Sequence, residues 1–469
     1  MRDVGENAAG EVDRLRGVIK DCVHCGFCLP ACPTYQLWGE EMDSPRGRIY
    51  LVNQILEGAE MTAAAAEHFD RCLGCMACMT ACPSGVQYDQ LIEAARVWTE
   101  EARAGARGSD GTESAGAAGP AGPAVAEVGR RRVRDRAARA AIFSLFPYPG
   151  RLRAMIGPLR AAQRTGVDRR LARSSLPGRA SPALGAVLRL APPASASPRL
   201  PERVAARGTR RAVVGMLTGC VQSVFFPQVN AATARVLALE GCDVLIPRGQ
   251  GCCGALSLHS GREAEAAAFA RRTIATFEQA QVDAIVVNSA GCGSAMKEYE
   301  RLLARAERDE MAGWTARAAA MSGKVRDFAE FLAELGPAAP RHPLPVSAAY
   351  HDACHLAHAQ RITRQPRELL RAIPGLDLVE LPDAGTCCGS AGVYNLLQPE
   401  AAGELGARKA QAVLDTGAPL LVSANPGCSM QIAAAVADRG EHIAVAHTAE
   451  MLDASLRGLP PPAGPIRGG

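Results

Sequence analysis

Two regimes of hydrophobic patterning divide the chain. Within residues 1–100, Ser44 and Pro45 read as an N-cap and a first-turn proline, Ile49, Val52, Ile55 and Leu56 fall on one helical face, and Gly58 ends the run. This region is predicted to be mostly helical, wrapped around two cysteine runs. From residue 211 the pattern changes. Short apolar runs with β-branched residues, Ala212 to Leu217, Val244 to Ile246 and Ala284 to Val287, read as strands, and the Ala-rich stretch Arg262 to Gln281 reads as a helix between them. Strand, helix, strand is the parallel α/β signature, and it puts the residues that follow each strand in loops at carboxyl ends.

Between these regimes, residues 101–129 hold nine Ala and seven Gly among 29, with Pro120 and Pro123. So little apolar bulk cannot offset the entropy of ordering, and a linker is expected. An Arg-rich stretch follows, with one apolar block from Ala140 to Phe146 and a Pro/Ser-rich passage from Pro192 to Pro201, predicting a helix or two within a tether. The second half is a duplication: Cys220, Cys252–Cys253 and Cys292 recur as Cys354, Cys387–Cys388 and Cys428, at offsets of 134, 135 and 136 residues.

Charge sharpens the division. The net formal charge is +4, yet residues 130–211 carry 20 Arg, no Lys and three acids, so that stretch is +17 and the remainder −13. Such a segment either docks on something anionic, an acidic partner or a phospholipid headgroup layer, or is a solvated tether. No run of 18 apolar residues and no apolar leader within residues 1–17 occurs, so neither a membrane span nor secretion is expected and a cytoplasmic protein is read. Seventeen cysteines in 469 residues are too sparse for a disulfide scaffold, and their clustering points to a metal carrier in a reducing compartment.

Cys22, Cys25, Cys28 and Cys32, followed by Pro33, form C-x2-C-x2-C-x3-C-P, and Cys72, Cys75, Cys78 and Cys82, followed by Pro83, repeat it without a change in spacing. Three cysteines at intervals of three let one tight loop present three thiolates to one iron–sulfur cube, while the fourth is directed to the other cluster. The expected ligand sets are Cys22, Cys25, Cys28 and Cys82 for one [4Fe–4S] cluster, and Cys72, Cys75, Cys78 and Cys32 for the other. Structural zinc is the bland alternative, but three in a row before C-P is not a zinc spacing. His24 and His68 are read as packing or solvent-facing residues.

Gly251-Cys252-Cys253-Gly254 and Thr386-Cys387-Cys388-Gly389 put two thiols on adjacent residues. Neighbours on a strand point to opposite faces, so both can serve one centre only where the backbone turns sharply, which the following glycine permits. A vicinal disulfide would be strained, and the match in both copies favours metal or redox chemistry. Gly249, Gly251 and Gly254 also satisfy a dinucleotide fingerprint, but the intervening cysteines already account for the glycines. His351, His355 and His358, at i, i+4 and i+7, would share one helix face as metal ligands; with Cys354 between them, a structural or supporting role is the preferred reading.

The order Cys, Cys-Cys-Gly, Cys is similar to the cysteine-rich CCG domain of heterodisulfide reductase subunits and of iron–sulfur subunits of flavin-linked 2-hydroxy-acid dehydrogenases. The chain departs from the family's closing C-x2-C, with Ala295 and Gln431 where a fifth cysteine would stand. Taken whole, it resembles the iron–sulfur subunit of glycolate oxidase, also called glycolate dehydrogenase. The most specific passages are Cys22 to Phe27, Pro33 to Leu37, and Ser44-Pro45-Arg46-Gly47-Arg48-Ile49-Tyr50. The resemblance implies an α+β multidomain chain: a mostly helical dicluster ferredoxin-like domain over 1–100, linker and tether over 101–210, and CCG units with parallel strands over 211–340 and 341–469. Cys220, Cys252, Cys253, Cys292, Cys354, Cys387, Cys388 and Cys428 would then bind cofactor, further iron–sulfur clusters among the candidates.

No flavin, nicotinamide or heme site and no catalytic triad or carboxylate pair emerges from spacing. The resemblance therefore implies an electron-transfer subunit that takes electrons from a flavin in a partner dehydrogenase subunit and passes them toward a quinone-type acceptor, with peripheral contact at the inner face of the membrane one use of the Arg stretch. Alternatives are a thiol–disulfide reductase subunit, against which the missing fifth cysteines count, and the iron–sulfur subunit of a lactate or glycerol-3-phosphate dehydrogenase. Nucleic-acid binding is disfavoured, since only 4% of residues are aromatic and no recognised module is present.

Overall fold

The computed structural model describes residues 4–105, 131, 133–174, 176–194, 200–306 and 313–462. The N-terminal region is helical. Helices Val4–Lys20, Pro45–Leu56, Ala63–Arg71 and Tyr88–Gly105 enclose a core of Leu15, Val52, Phe69, Leu91 and Ile92, all buried. Ser44 caps the second helix through its hydroxyl, which accepts from the Gly47 N–H at 3.1 Å, and Ile49, Val52 and Ile55 form its buried face. The two cysteine runs lie between these helices, mostly in loops, with Cys78 in the short helix Ala77–Ala81. The last helix runs to Gly105, five residues into the stretch read as linker; the rest of that stretch, 106–129, lies outside the described residues.

The Arg-rich segment holds more helices than the one or two expected of it. It folds into helices Val133–Leu145, Pro149–Thr165, Val167–Arg173, Leu176–Ala180 and Pro182–Leu190. Ala and Arg are strong helix formers, and a few apolar anchors suffice to dock the result: Ile142, Phe143, Ala186 and Leu190 pack on Val393, Leu396 and Ala434 of the second α/β unit. Part of its charge is engaged internally. Arg131 and Arg139 both reach Glu100, at 2.5 and 3.0 Å, and Arg189 pairs with Asp438. Of the Pro/Ser-rich passage, residues 195–199 lie outside the described residues.

The second half holds two sheets. The first joins β1 (Arg203–Val204), β2 (Ala212–Leu217), β3 (Cys242–Leu245), β4 (Ala284–Val287) and β5 (Val325–Asp327) in the order β1-β3-β2-β4-β5. The second joins β6 (Val346–His351), β7 (Leu376–Glu380), β8 (Leu420–Ser423) and β9 (Ala444–Ala446) in the order β7-β6-β8-β9. All pairs are parallel except β1 with β3. Apart from β1 the two orders are the same, and the duplication read from cysteine spacing is a duplication of topology. In each unit the chain reverses direction of sheet growth beside the central strand, β2 or β6, the switch point at which α/β folds place their sites.

The units are fused rather than merely adjacent. Helix Pro227–Leu239 of the first packs on Thr448–Arg457 of the second, and Phe328–Leu335 of the first packs on Arg364–Arg371 of the second. Each unit thus offers its first crossover helix to the other's last helix, the self-complementary arrangement of a two-fold pair. One apolar core, with Met216 and Leu237 from the first unit and Tyr350 and Leu452 from the second, runs across the joint. Arg235 and Asp453 close it with a bidentate pair at 2.9 and 2.6 Å.

Both Cys-Cys loops end on a glycine in the left-handed region, Gly254 (φ +89°) and Gly389 (φ +87°), and a Cβ on either would stand 2.9 Å from the Ala266 oxygen or 2.7 Å from the Ala402 oxygen. Backbone strain and backbone contact both oppose a side chain there. Gly254→Ala and Gly389→Ala are each expected to cost about 2 kcal/mol or more, read as a lowered urea midpoint at unchanged slope.

Candidate metal centres

In each N-terminal cysteine loop two residues adopt left-handed conformations at matching places, His24 and Gly26 in the first run, Gly74 and Met76 in the second. These alternate turns coil the loop so that three thiols converge. The first cavity is lined by Cys22, Cys25, Cys28 and Cys82, with Pro83 and Ile49; the second by Cys32, Cys72 and Cys75, with Pro33 and Arg48; Cys78 and Tyr88 border both. The fourth cysteine of each run therefore faces the triplet of the other. Cys25 is exposed and Cys22, Cys28 and Cys82 are half-buried, while Cys32, Cys72, Cys75 and Cys78 are buried.

The donor set suits a cation. Burial pushes the Cys75 and Cys78 thiols well above their ordinary range and Cys28 up to about 11, so these sulfurs become thiolates only against a compensating positive charge. Around Cys72 the protein supplies some of it. Burial alone would raise that thiol, but the Arg48 and Arg96 guanidinium groups outweigh the cost and hold it below its usual value. Arg48 is fully buried; it donates to the Asp43 oxygen at 2.5 Å, the His68 oxygen at 2.7 Å and the Thr34 hydroxyl at 3.2 Å. Arg96 donates to the Cys72 oxygen at 2.6 Å, and the Cys72 sulfur accepts from the Gly74 N–H at 3.4 Å. His68 belongs to the same network through Asp43, at 2.9 Å, and His24 is exposed, so both keep the packing and solvent roles expected of them.

The duplicated unit gathers its cysteines in the same way twice. Cys220 follows β2, Cys252 and Cys253 follow β3, and Cys292 sits in the first turn of helix Ala290–Lys297 after β4; Cys354, Cys387, Cys388 and Cys428 repeat this after β6, β7 and β8. The sulfurs of Cys220 and Cys252 stand 3.7 Å apart. Thiols of Cys252 and Cys292 donate to Cys253, holding it well below its ordinary value while their own are raised; Cys388 is lowered in the same way by Cys387 and Cys428. Each unit thus brings four thiols together, with Cys253 in the first and both Cys354 and Cys388 in the second held below their ordinary range by neighbouring donors. The places of the missing fifth cysteines are closed. Ala295 is buried, and the Gln431 amide donates to the Ala402 oxygen at 2.8 Å and accepts from Asn395 at 3.1 Å.

The three histidines do not share a helix face. His351 ends β6, while His355 and His358 lie in a π-turn spanning His355–Ala359. His358 donates to the Gly385 oxygen at 2.8 Å and bonds Thr80 at 2.9 Å, and His355 stands 3.7 Å from the Cys354 sulfur. His351 lies with Cys388 and Cys428 in one group whose ligand atoms are all within 4.8 Å. The histidine spacing marks His351, though with a helix face that it does not share, whereas Arg96 follows from no spacing signal; Arg48 lay inside the passage that carried the resemblance. The seventeenth cysteine, Cys242, is a core residue of β3, its thiol pushed up by burial to about 11.

The sites are contiguous. Leu73, Cys75 and Ala77 pack with Cys354, Cys387 and Tyr394 in one apolar cluster, and Tyr394 donates to the Arg71 oxygen at 3.1 Å. The cysteine loops of the two units meet through Ala290 N–H to the Ala424 oxygen at 3.2 Å and Gln360 to the Ala290 oxygen at 3.0 Å, beside the rings of His259 and His355, 4.9 Å between centroids.

Comparison with known proteins agrees with this layout segment by segment. Residues 18–86 match the family "4Fe-4S dicluster domain", residues 214–297 and 348–433 the "Cysteine-rich domain", and residues 134–191 the "Glycolate oxidase iron-sulfur subunit, linker region". The chain is 34% identical over 446 residues to the "Probable glycolate oxidase iron-sulfur subunit" of Bacillus subtilis (strain 168), covering 93% of this chain and 94% of the relative. It is 35% identical over 426 residues to the "Glycolate oxidase iron-sulfur subunit" of Escherichia coli (strain K12), covering 89% and 90%. "Lactate utilization protein A" of Exiguobacterium sp. is 31% identical over 245 residues, 52% of this chain, so that likeness is partial. With the full-length matches, the linker match and the two kinds of cysteine-rich region in the same order, this chain belongs to the family of glycolate oxidase iron–sulfur subunits.

Proposed function

We propose that this chain is the electron-carrying subunit of a complex that oxidises glycolate to glyoxylate, and that it does not itself oxidise the substrate. Removing two electrons from a 2-hydroxy acid calls for a two-electron cofactor, and a flavin in a partner subunit, which handles both two- and one-electron steps, is the natural source. Cys22, Cys25, Cys28 and Cys82 would hold one [4Fe–4S] cluster and Cys72, Cys75, Cys78 and Cys32 the other, and clusters bound there take up and release single electrons. Cys220, Cys252, Cys253 and Cys292, and their counterparts Cys354, Cys387, Cys388 and Cys428, would hold further iron–sulfur centres. The single observation that carries the reading is the cross-paired cysteine lining of two neighbouring cavities, the inner one packed directly on the Cys354 loop.

The chain's own residues do three things in this role. Cys25, with Val23 and Phe27 exposed beside it, keeps the outer site accessible to another protein. Arg48 and Arg96 offset negative charge at the inner site, which favours the reduced state. The exposed arginines of the linker helices offer a surface to an acidic partner or to anionic lipid on the path to a quinone-type acceptor; among the described residues no helix is long and apolar enough to cross a membrane.

Purified without air together with its partners, the chain should hold about eight irons if only the ferredoxin-type sites fill and more if the CCG units do. Glycolate should reduce a flavoprotein companion and then the clusters; an iron-free, colourless chain sinks the reading. Cys28→Ser should remove one low-potential signal from the electron paramagnetic resonance spectrum without slowing flavin reduction. Arg96→Gln should leave iron content intact and move one centre to a more negative midpoint in a redox titration, with a potential equal to the wild type counting against the charge argument.

A further inference from the structure

The duplication is not symmetrical at its metal sites. β2 and β6 are each six residues long and occupy the same central place in their sheets, and their last residues are Leu217 and His351. Leu217 is an apolar core residue. His351 is just as buried, 1% exposed, and its ring finds no oxygen or nitrogen partner in the protein; what it faces is the Cys388 thiol, which it helps to hold below its ordinary range. A buried imidazole with only thiols for company gives up most of its hydrogen bonding, and native proteins rarely leave such a group without a function. Its ligand atoms lie within 4.8 Å of the Cys388 and Cys428 sulfurs, inside the thiol set of the second unit. The fifth thiol that this set lacks is replaced by Gln431, whose amide is already engaged on both sides.

We infer that His351 is a nitrogen ligand to an iron–sulfur centre in the second CCG unit, joining Cys354, Cys387, Cys388 and Cys428, while the first unit offers thiolates alone. This inference rests on the reading that the CCG cysteines carry such centres. The His351 nitrogen takes the coordination place that a fifth cysteine fills in longer versions of the motif. Because a neutral imidazole replaces an anionic thiolate, the second unit's centre holds less negative charge and accepts an electron more readily than an all-thiolate one, as histidine ligation does in Rieske centres. The two units are then inequivalent by one residue, and the more easily reduced one is the unit whose Cys354 loop lies against Cys75.

The test uses the whole chain in its complex, prepared without air with 15N-labelled histidine, and reads nitrogen coupling to the paramagnetic centres by pulsed electron resonance. The expected result is one centre with strong directly bonded nitrogen coupling. His351→Leu, which installs the residue of the first unit, should abolish that coupling with the far-ultraviolet circular dichroism and the eight ferredoxin-site irons unchanged. His351→Cys should retain the centre, lose the coupling and lower its midpoint potential. His355→Phe, which removes the other imidazole near Cys354, should leave the strong coupling in place. Absence of nitrogen coupling in the wild type, its survival in His351→Leu, or zinc in place of iron at this unit overturns the inference. In those cases glycolate-driven reduction of the ferredoxin-type clusters still stands; loss of all iron would instead bring down the function proposed above.

Discussion

Buried sulfur without a counter-charge is the constraint around which this molecule is organised. Eight N-terminal cysteines and eight more in the duplicated half are drawn into four groups, and most of these thiols are fully enclosed. Apolar enclosure opposes ionisation, so the groups are stable as ligand sets only in company with a cation or with guanidinium groups pressed against them. Arg48 and Arg96 serve one group directly. The rest depend on whatever metal fills them, so metal loading and folding of these loops are expected to be one process rather than two.

The architecture follows from keeping such groups close together. Loops at the carboxyl ends of parallel strands bring residues distant in sequence to one place, and a switch point beside β2 or β6 opens a crevice for them. Fusing two such units as a two-fold pair, the first crossover helix of each on the last helix of the other, sets their cysteine loops side by side, with the backbone bond from Ala290 to Ala424 and the tilted rings of His259 and His355 at the seam. The inner ferredoxin-type site is tied to the second unit by Thr80 on His358 and Tyr394 on the Arg71 oxygen. The helix Tyr88–Gly105 behind it is held to the first, where Arg301 pairs with Asp89 and Glu93 and Gly261 lies against the Arg96 backbone.

Local signals in the sequence carried much of this. β2 and β4 have the bounds read from their apolar runs, because a buried parallel strand is a short continuous apolar stretch. β3 begins two residues before the run at Val244, since Cys242 and Asp243 pair in register with Ala212 and Val213, a fact of the neighbouring strand rather than of the segment itself. The three-residue strands β5 and β9 are too short for any periodicity. Composition said least about the Arg-rich segment, where few apolar anchors gave away only a helix or two of the five that long Arg stems and Ala support. Among site residues, those with fixed spacing were legible; His351 was marked by a spacing that assumed one helix face where the chain runs from a strand into a π-turn, and Arg96 is a single polar residue that only the fold brings to sulfur.

One consequence concerns the direction of exchange with other proteins. Of the four cysteine groups, only the one containing Cys25 reaches the surface broadly, and its rim presents Val23 and Phe27, 69% and 66% exposed. Apolar side chains held out to solvent on a tightly coiled loop are costly to leave uncovered and suit transient contact with a partner. The group of the first CCG unit is more sheltered: Cys220, Cys252 and Cys253 are buried and Cys292 half-buried, with Tyr148 and Leu256 packed on the cluster around Cys220 and Cys252. Tyr148 stands at the start of helix Pro149–Thr165, in the Arg-rich segment, so the cover over the first unit is made from the most basic part of the chain.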